Sequence, residues 1–373
     1  MPLLIFGRLF DITNQYIMRN AILKVWRGQS SSLFWLLCPL LFPLSCVYRI
    51  CLKVRDYMYG TGMIKVSGVT VPVISVGNIT LGGTGKTPIV EEISRRLIEA
   101  GFSPAIATRG YKRNRKGTFV VDGNRDCAKD VGDEALMLSK KTKLPVVVGT
   151  DRAQAIREGI EAFRIDIALL DDGFQLKNLR KDIEILLING GEGKTNRNLF
   201  PLGPYREPSV RIKDADMILI SKGEINSDLK QYTEGIPVFR FHYKPVYLCN
   251  LKHGLTGHYN FLKGKDVLAF SGLGDNIAFF DFLKKLGANV VCEIAYPDHY
   301  AYGRKDMEKL LHHQEAEIIV TTEKDAVKID PEQAPENLYY LTIEAKIEKK
   351  EEMMLLIQNK LSAVSPKLLA KRG

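Results

Sequence analysis

Apolar residues follow different rhythms in different parts of this 373-residue chain. Near the N-terminus they form one dense run. From residue 71 onward, short β-branched runs alternate with longer amphipathic ones. The short runs predict strands over 71–76, 105–108, 146–148, 167–170, 183–188 and 217–221, and the longer ones predict helices over 87–100, 133–141 and 153–163. Such alternation implies βαβ units and a mostly parallel sheet with helices on both faces. The pattern breaks over 235–257, where prolines, glycines and aromatic residues cluster; this reads as a strand-rich linker. A second α/β block follows, with strands over 267–271, 289–295 and 318–321 and helices over 276–286 and 304–313. The tail from Ile347 is charged and helical in period. The chain therefore divides into an N-terminal extension and anchor (1–60), a nucleotide-binding block (61–234), the linker (235–257) and a smaller block (258–373) with its own sheet.

The N-terminal run, LFWLLCPLLFPLSCVY over 33–48, lies in a stretch without charge between Arg27 and Arg49. Arg19, Lys24 and Arg27 flank it on one side, and Arg49, Lys53 and Arg55 on the other. A spanning helix needs about 20 apolar residues; this run is shorter, and Pro39 and Pro43 are expected to kink it. Its late start disfavours a signal peptide. Two readings stay open: an anchor lying in or on a membrane, its cations against anionic headgroups, or a buried pair of core helices. Tryptophan, phenylalanine and basic flanks favour the anchor.

The strand predicted at 71–76 runs into Gly77-Asn78-Ile79-Thr80-Leu81-Gly82-Gly83-Thr84-Gly85-Lys86-Thr87. Glycines between a strand and a helix let backbone N–H groups wrap a phosphate; Lys86 can reach the β- and γ-phosphates, and the Thr87 hydroxyl can ligate Mg²⁺. The helix N-terminus adds its dipole. The strict spacing G-x-x-x-x-G-K-[ST] is broken once, because Thr80 stands where the first glycine belongs. Lys and Arg number 53 against 43 Asp and Glu, a net charge of +10 that suits an anionic partner. Zinc-finger spacing and aromatic-basic RNA-binding runs are absent, so no nucleic-acid partner is expected. The six cysteines form no C-x-x-C pair and read as reduced, apolar-type residues.

In open α/β sheets, ligands lie outside the carboxyl ends of strands. Asp171-Asp172-Gly173 ends an apolar run, where adjacent carboxylates suit Mg²⁺ and are otherwise costly to bury. Arg109 and Arg152 also follow strands and suit phosphate, though a solvated surface role is equally open. Gly132-Asp133-Glu134 opens a helix, where acidic residues are common for dipole reasons alone. Pro297-Asp298-His299 is a polar turn whose histidine, by itself, reads as solvated.

In this order, these segments resemble the tetraacyldisaccharide 4′-kinase family, the lipid A 4′-kinases of Gram-negative envelopes. The resemblance also covers Thr108-Arg109-Gly110-Tyr111, Asp151-Arg152, Asp171-Asp172-Gly173-Phe174-Gln175, Arg206-Glu207 and Thr321-Thr322-Glu323-Lys324-Asp325-Ala326-Val327-Lys328. It implies a P-loop NTPase-like fold and ATP-dependent phosphorylation of the 4′-hydroxyl of a tetraacyldisaccharide 1-phosphate. Gly82, Gly83, Thr84, Gly85, Lys86 and Thr87 would hold ATP, with Lys86 also catalytic. Thr87, Asp171 and Asp172 would hold Mg²⁺, Asp133 and His299 would act on the hydroxyl proton, and Arg109, Arg152, Gln175 and Glu207 would line the substrate side. Closure of the smaller block would assemble the site. The enzyme would meet its lipid at the cytoplasmic leaflet of the inner membrane, without an obligate protein partner. The family often has histidine where this chain has Leu176, and residues 1–20 extend beyond the family's usual start. The competing class is a membrane-associated nucleotide switch or metal-delivery NTPase that hydrolyses nucleotide with water, although the guanine-reading Asn-Lys-x-Asp is absent.

Overall fold

The computed structural model describes residue 26 and residues 31–82, 85–190, 197–254 and 256–365. Gly83 and Thr84 of the glycine loop, and most of the N-terminal extension, lie outside the described residues.

Helix α1 (Ser31–Gly60) opens the described chain. Its 30 residues reach about 45 Å at 1.5 Å per residue. Pro39 and Pro43 both lie inside it, and the helix continues past them; proline removes an amide donor, a loss that apolar helices tolerate. The reading of this run as buried core helices is overturned. Trp35, Leu36, Leu40, Phe42, Val47 and Ile50 are exposed, and only 6% of its most apolar stretch is buried. Its C-terminal half packs on the protein, where Tyr48 and Leu52 join a cluster with Ile79, Phe174 and Leu199.

The strands are β1 (Val73–Asn78), β2 (Pro104–Thr108), β3 (Phe119–Val120), β4 (Val146–Val148), β5 (Ile167–Asp171), β6 (Ile183–Asn189) and β7 (Met217–Ser221), then β8 (Val238–Asn250), β9 (Thr256–His258), β10 (Asp266–Ser271), β11 (Asn289–Ala295), β12 (Ile318–Thr322) and β13 (Leu338–Ile347). They form one 13-stranded sheet in the order β11-β10-β12-β13-β8-β7-β6-β1-β5-β2-β4-β3, with β9 beside β8. Most neighbours are parallel, as the alternating pattern requires, with β1 between β5 and β6. Helices α2 (Lys86–Glu99), α3 (Ala128–Val131), α4 (Asp133–Thr142) and α5 (Arg152–Phe163) follow early strands. Further along come α6 (Ser227–Thr233), α7 (Asn276–Lys285), α8 (Arg304–Leu310), α9 (Glu323–Ala326) and α10 (Lys350–Val364). Helix α8 ends earlier than its apolar pattern predicts.

The expected separate second sheet is corrected. The 13-residue β8 lies in the stretch read as a linker. It pairs parallel with β7 through Val238–Phe241 and antiparallel with β13 through Phe241–Asn250. One strand therefore belongs to both blocks, and neither is left with an unpaired edge there.

Side chains tie the blocks as well. The Lys141 ammonium on α4 meets Glu91 of α2 at 3.0 Å and Glu323 of α9 at 2.8 Å. Burial pushes the Glu91 carboxyl up to about 7, against the pull of Lys141 and with the repulsion of Glu323 and Glu344. A carboxyl raised in the folded state favours its protonated form, so stability is lost as pH climbs from the ordinary value of 4.5 through 7. We expect Glu91→Gln to flatten that slope and to exceed wild type by about 1–3 kcal/mol above neutrality. Thermal midpoints across pH 5–8 check this, and parallel curves for the two proteins would refute it.

Candidate active site

Strand β1 is wholly buried, and its C-terminal end leads into the glycine loop. Thr80 forms an isolated bridge with Tyr205, and the Leu81 amide donates to Pro204 O at 2.7 Å. The broken glycine spacing has its reason here: extended backbone suits threonine. Glycine is required at Gly85, whose φ is +69° at the start of α2. Tyr243 of β8 lies over it, its hydroxyl donating to Gly85 O at 3.1 Å and occupying the space that a Cβ would take. Burial raises the Tyr243 phenol above its ordinary range, so it stays a neutral donor. No feature of the sequence singles out Tyr243, because its position depends on the path of β8.

Lys86 points back to the strand ends. Its ammonium lies 3.3 Å from Asn78 Oδ1 and 3.3 Å from Asp172 Oδ1. Asp171 and Asp172, adjacent in sequence, face different surroundings. Asp171 is buried, and its Oδ1 has no hydrogen-bond partner. Burial, then the nearby charge of Glu134, pushes its carboxyl above the ordinary range despite Lys86. Asp172 adopts φ +59° and meets both Lys86 and Arg206, the latter at 3.1 Å. Burial opposes its charge, but Lys86 and Arg206 overcome this and hold the carboxyl below its ordinary range. An orphaned buried carboxylate oxygen beside a cation-lined carboxylate is a hard oxygen donor set that fits a divalent ion.

Asp133 and His299, 166 residues apart, come together with Oδ2 and Nδ1 at 2.7 Å. Asp133 starts α4 and is almost fully buried. Burial disfavours its charge, but the bond from His299 and the charge of Lys324 hold its carboxyl below the ordinary range. Its Oδ1 accepts from the Glu134 amide at 3.0 Å. His299 adopts φ +61° in the turn after β11 and packs beside the Tyr111 ring. Its other nitrogen, Nε2, lies 3.7 Å from Asp298 Oδ1. The charge of Glu134, the chain neighbour of Asp133, is felt at Asp171.

The expected substrate-side residues are distributed differently. Arg109 is exposed at the end of β2. Arg152 is buried, with its guanidinium donating to Gly149 O and to Thr150 O. Burial, reinforced by Arg109, lowers its pKa to about 10. The Gln175 amide donates to Asn78 O. Leu176 packs with Val73, Ala105 and Leu170, so an apolar residue is at home there. Glu207 is fully buried, and Arg55 of α1 grips both its oxygens at 2.7 and 2.9 Å. Its neighbour Arg206 faces Asp172, while Tyr48 of α1 donates to Arg206 O at 2.9 Å. The apolar helix is thereby bonded to the segment that faces the Lys86 site. Arg55→Ala leaves the buried Glu207 carboxylate with Arg211, at 3.7 Å, as its remaining cation and should cost about 3 kcal/mol. Lysine in its place should recover only part, since it cannot bind both oxygens at once. Denaturant unfolding in detergent checks this; unchanged midpoints would refute it.

The family pattern described as LpxK, Tetraacyldisaccharide-1-P 4′-kinase, matches residues 37–362. The tetraacyldisaccharide 4′-kinase of Shewanella oneidensis is 32% identical over 350 residues, covering 94% of this chain and 98% of its own length. That of Pelobacter propionicus is 36% identical over 301 residues, covering 79% of this chain and 83% of its own. Among solved structures, LpxK from Aquifex aeolicus in complex with ATP matches with a TM-score of 0.71 at 33% identity, over 86% of this chain and 98% of that one.

Proposed function

This chain belongs to the tetraacyldisaccharide-1-P 4′-kinase family and is an ATP-dependent kinase of the lipid A precursor, and we propose that it transfers phosphate through Lys86, Asp133 and His299. The observation that carries this assignment is the 2.7 Å bond between Asp133 and His299, which brings together residues 166 positions apart.

Phosphoryl transfer asks the protein for position and charge more than for covalent chemistry. Gly82, Gly83, Thr84 and Gly85 would hold the nucleotide phosphates, and Lys86 would leave Asp172 for the β- and γ-phosphates. Thr87, Asp171 and Asp172 would hold Mg²⁺. When bound, the ion neutralises charge on the phosphate oxygens. The acceptor 4′-hydroxyl is a weak nucleophile, and Asp133 with His299 takes its proton, the imidazole sharing the charge with the carboxylate. Arg109 and Arg152 supply positive charge beside the cleft, Gln175 supports the end of β1, and Glu207 acts through Arg55. Asp133 and His299 come from different blocks, so the packing of residues 258–373 against residues 61–234 assembles the site.

Helix α1 anchors the protein at the cytoplasmic face of the inner membrane, where ATP and the lipid's disaccharide headgroup are both within reach. Its exposed apolar length and the basic residues Arg49 and Lys53 support this reading. The nucleotide-switch alternative is not favoured. The test is transfer from γ-labelled ATP to a tetraacyldisaccharide 1-phosphate in detergent micelles. Labelled lipid is expected, and ATP consumption without labelled lipid would return the hydrolytic reading.

A further inference from the structure

The segment Thr322-Glu323-Lys324-Asp325 has no part in the chemistry described so far, yet it packs against both halves of the Asp133–His299 pair. We propose that Lys324 is a positioning residue: its ammonium spans Glu134 and Asp298, the chain neighbours of Asp133 and His299, and holds the two halves of the pair in register. The proposal rests on the reading of Asp133 and His299 as the proton-accepting pair.

The geometry is direct. Lys324 Nζ lies 3.0 Å from Glu134 Oε1 and 3.6 Å from Asp298 Oδ1. One cation thus touches the residue after Asp133 and the residue before His299. The backbone beneath it is fixed from both sides. Asp325 is fully buried, and its carboxylate receives Thr322 Oγ1 at 2.7 Å, the Gly272 amide at 3.0 Å, the Tyr302 hydroxyl at 3.0 Å and Lys328 Nζ at 2.6 Å. Gly272 O in turn accepts from the His299 amide at 3.4 Å. Glu323 reaches Lys141, on the helix that Asp133 begins. Helix α9 is therefore pinned to the turn that carries His299 and to the helix that carries Asp133, with Lys324 directed between them.

Charge gives the contact its purpose. Asp133 and Glu134 on α4 and Asp298 beside His299 bring three carboxylates together across two blocks. The facing cations are Lys324 and Lys328 on the α9 segment, and Lys112, which donates to Asp298 O at 3.5 Å. Without Lys324 the carboxylates repel along the line on which the pair must meet. Burial works against the Lys324 ammonium, but Glu134, Asp298 and Asp133 more than offset it and keep the amine charged. A displacement of about 1 Å at a reacting group can cost about 100-fold in rate.

The test compares full-length wild type, Lys324→Met, Lys324→Arg, Asp133→Asn, His299→Ala and the combined Lys324→Met/His299→Ala protein, in micelles with tetraacyldisaccharide 1-phosphate and ATP. Lys324→Met keeps the aliphatic stem and removes the charge. It should lower kcat about 10–100-fold, leave the KM for ATP within about twofold, and move the acid limb of kcat/KM to higher pH, since the pair loses a neighbouring cation. Arginine should restore part of kcat. In the His299→Ala background, Lys324→Met should cost less than about threefold, because no pair remains to position. Thermal midpoints identify any variant that is merely misfolded, and Lys324→Arg then serves as the informative protein. If the Asp133 and His299 variants are impaired while Lys324→Met has wild-type kcat, or if its loss is equally large without His299, the proposal is overturned and the catalytic reading stands. If Asp133→Asn and His299→Ala both retain wild-type kcat, the catalytic reading falls and the proposal with it.

Discussion

Lys86→Ala should lower the rate of lipid phosphorylation by about 10³–10⁵-fold while leaving the protein folded. Lys86 is the one cation of the glycine loop, and in the structure it is poised between Asn78 and Asp172 at 3.3 Å from each. Charge on the transferring phosphoryl group is best stabilised by a fixed cation in a site from which water is excluded. The stability cost should stay under about 1 kcal/mol, because Asp172 keeps Arg206 and Asn78 keeps the Thr80 carbonyl as partners. Lys86→Arg should not rescue activity. A planar guanidinium is larger and directs its donors differently from a compact ammonium, and the space over Gly85 is already filled by Tyr243. Single-turnover transfer from γ-labelled ATP, with thermal unfolding of the same samples, measures both quantities. Wild-type turnover in the alanine variant would exclude the nucleotide site assigned to this loop.

Asp133→Asn and His299→Ala should each lower kcat by about 10²–10⁴-fold, and the double variant should be no worse than the weaker single one. Groups that act as a unit fail as a unit, and the 2.7 Å bond joins these two side chains directly. Stability carries a separate signature. The Asp133 carboxyl sits below its ordinary value in the folded protein, so its contribution is complete above the unfolded value of 3.8 and is lost as pH falls through the lower folded value. Asp133→Asn should therefore be less stable than wild type near neutrality and converge with it in acid. Multiplicative losses in the double variant would show two independent roles rather than one pair.

Much of the site was legible along the chain because local chemistry demands it. A phosphate loop needs glycine, lysine and a hydroxyl within a few residues, between a strand and a helix, and no distant contact is required to recognise that combination. The strand ends at Asp171 and the helix start at Asp133 were equally local, resting on periodicity and on termination. Resemblance added His299, which alone looked like a solvated turn residue; its φ of +61° and its partner on α4 follow from the packing of the two blocks. Less was legible for the residues expected on the substrate side. Glu207 gave no local sign of lying fully buried under Arg55, since the two are 152 positions apart. Adjacent Asp171 and Asp172 looked equivalent, and only the left-handed backbone at Asp172 separates the one that meets Lys86 and Arg206 from the one with an orphaned oxygen.

By itself, the sequence determined most of the alternation of strands and helices, the phosphate loop and the apolar helix, though not β3 or β13, because hydrophobic period, glycine placement and chain continuity act over a few residues. The tertiary structure decided that β8 belongs to two blocks and makes their strands one sheet. It also decided that Tyr243 covers Gly85, that Arg55 joins the apolar helix to the segment beside Asp172, and that Lys324 lies between Glu134 and Asp298. Each of these contacts joins residues far apart in the chain. Their energy comes from burying charge and shape against a partner that local pattern does not specify.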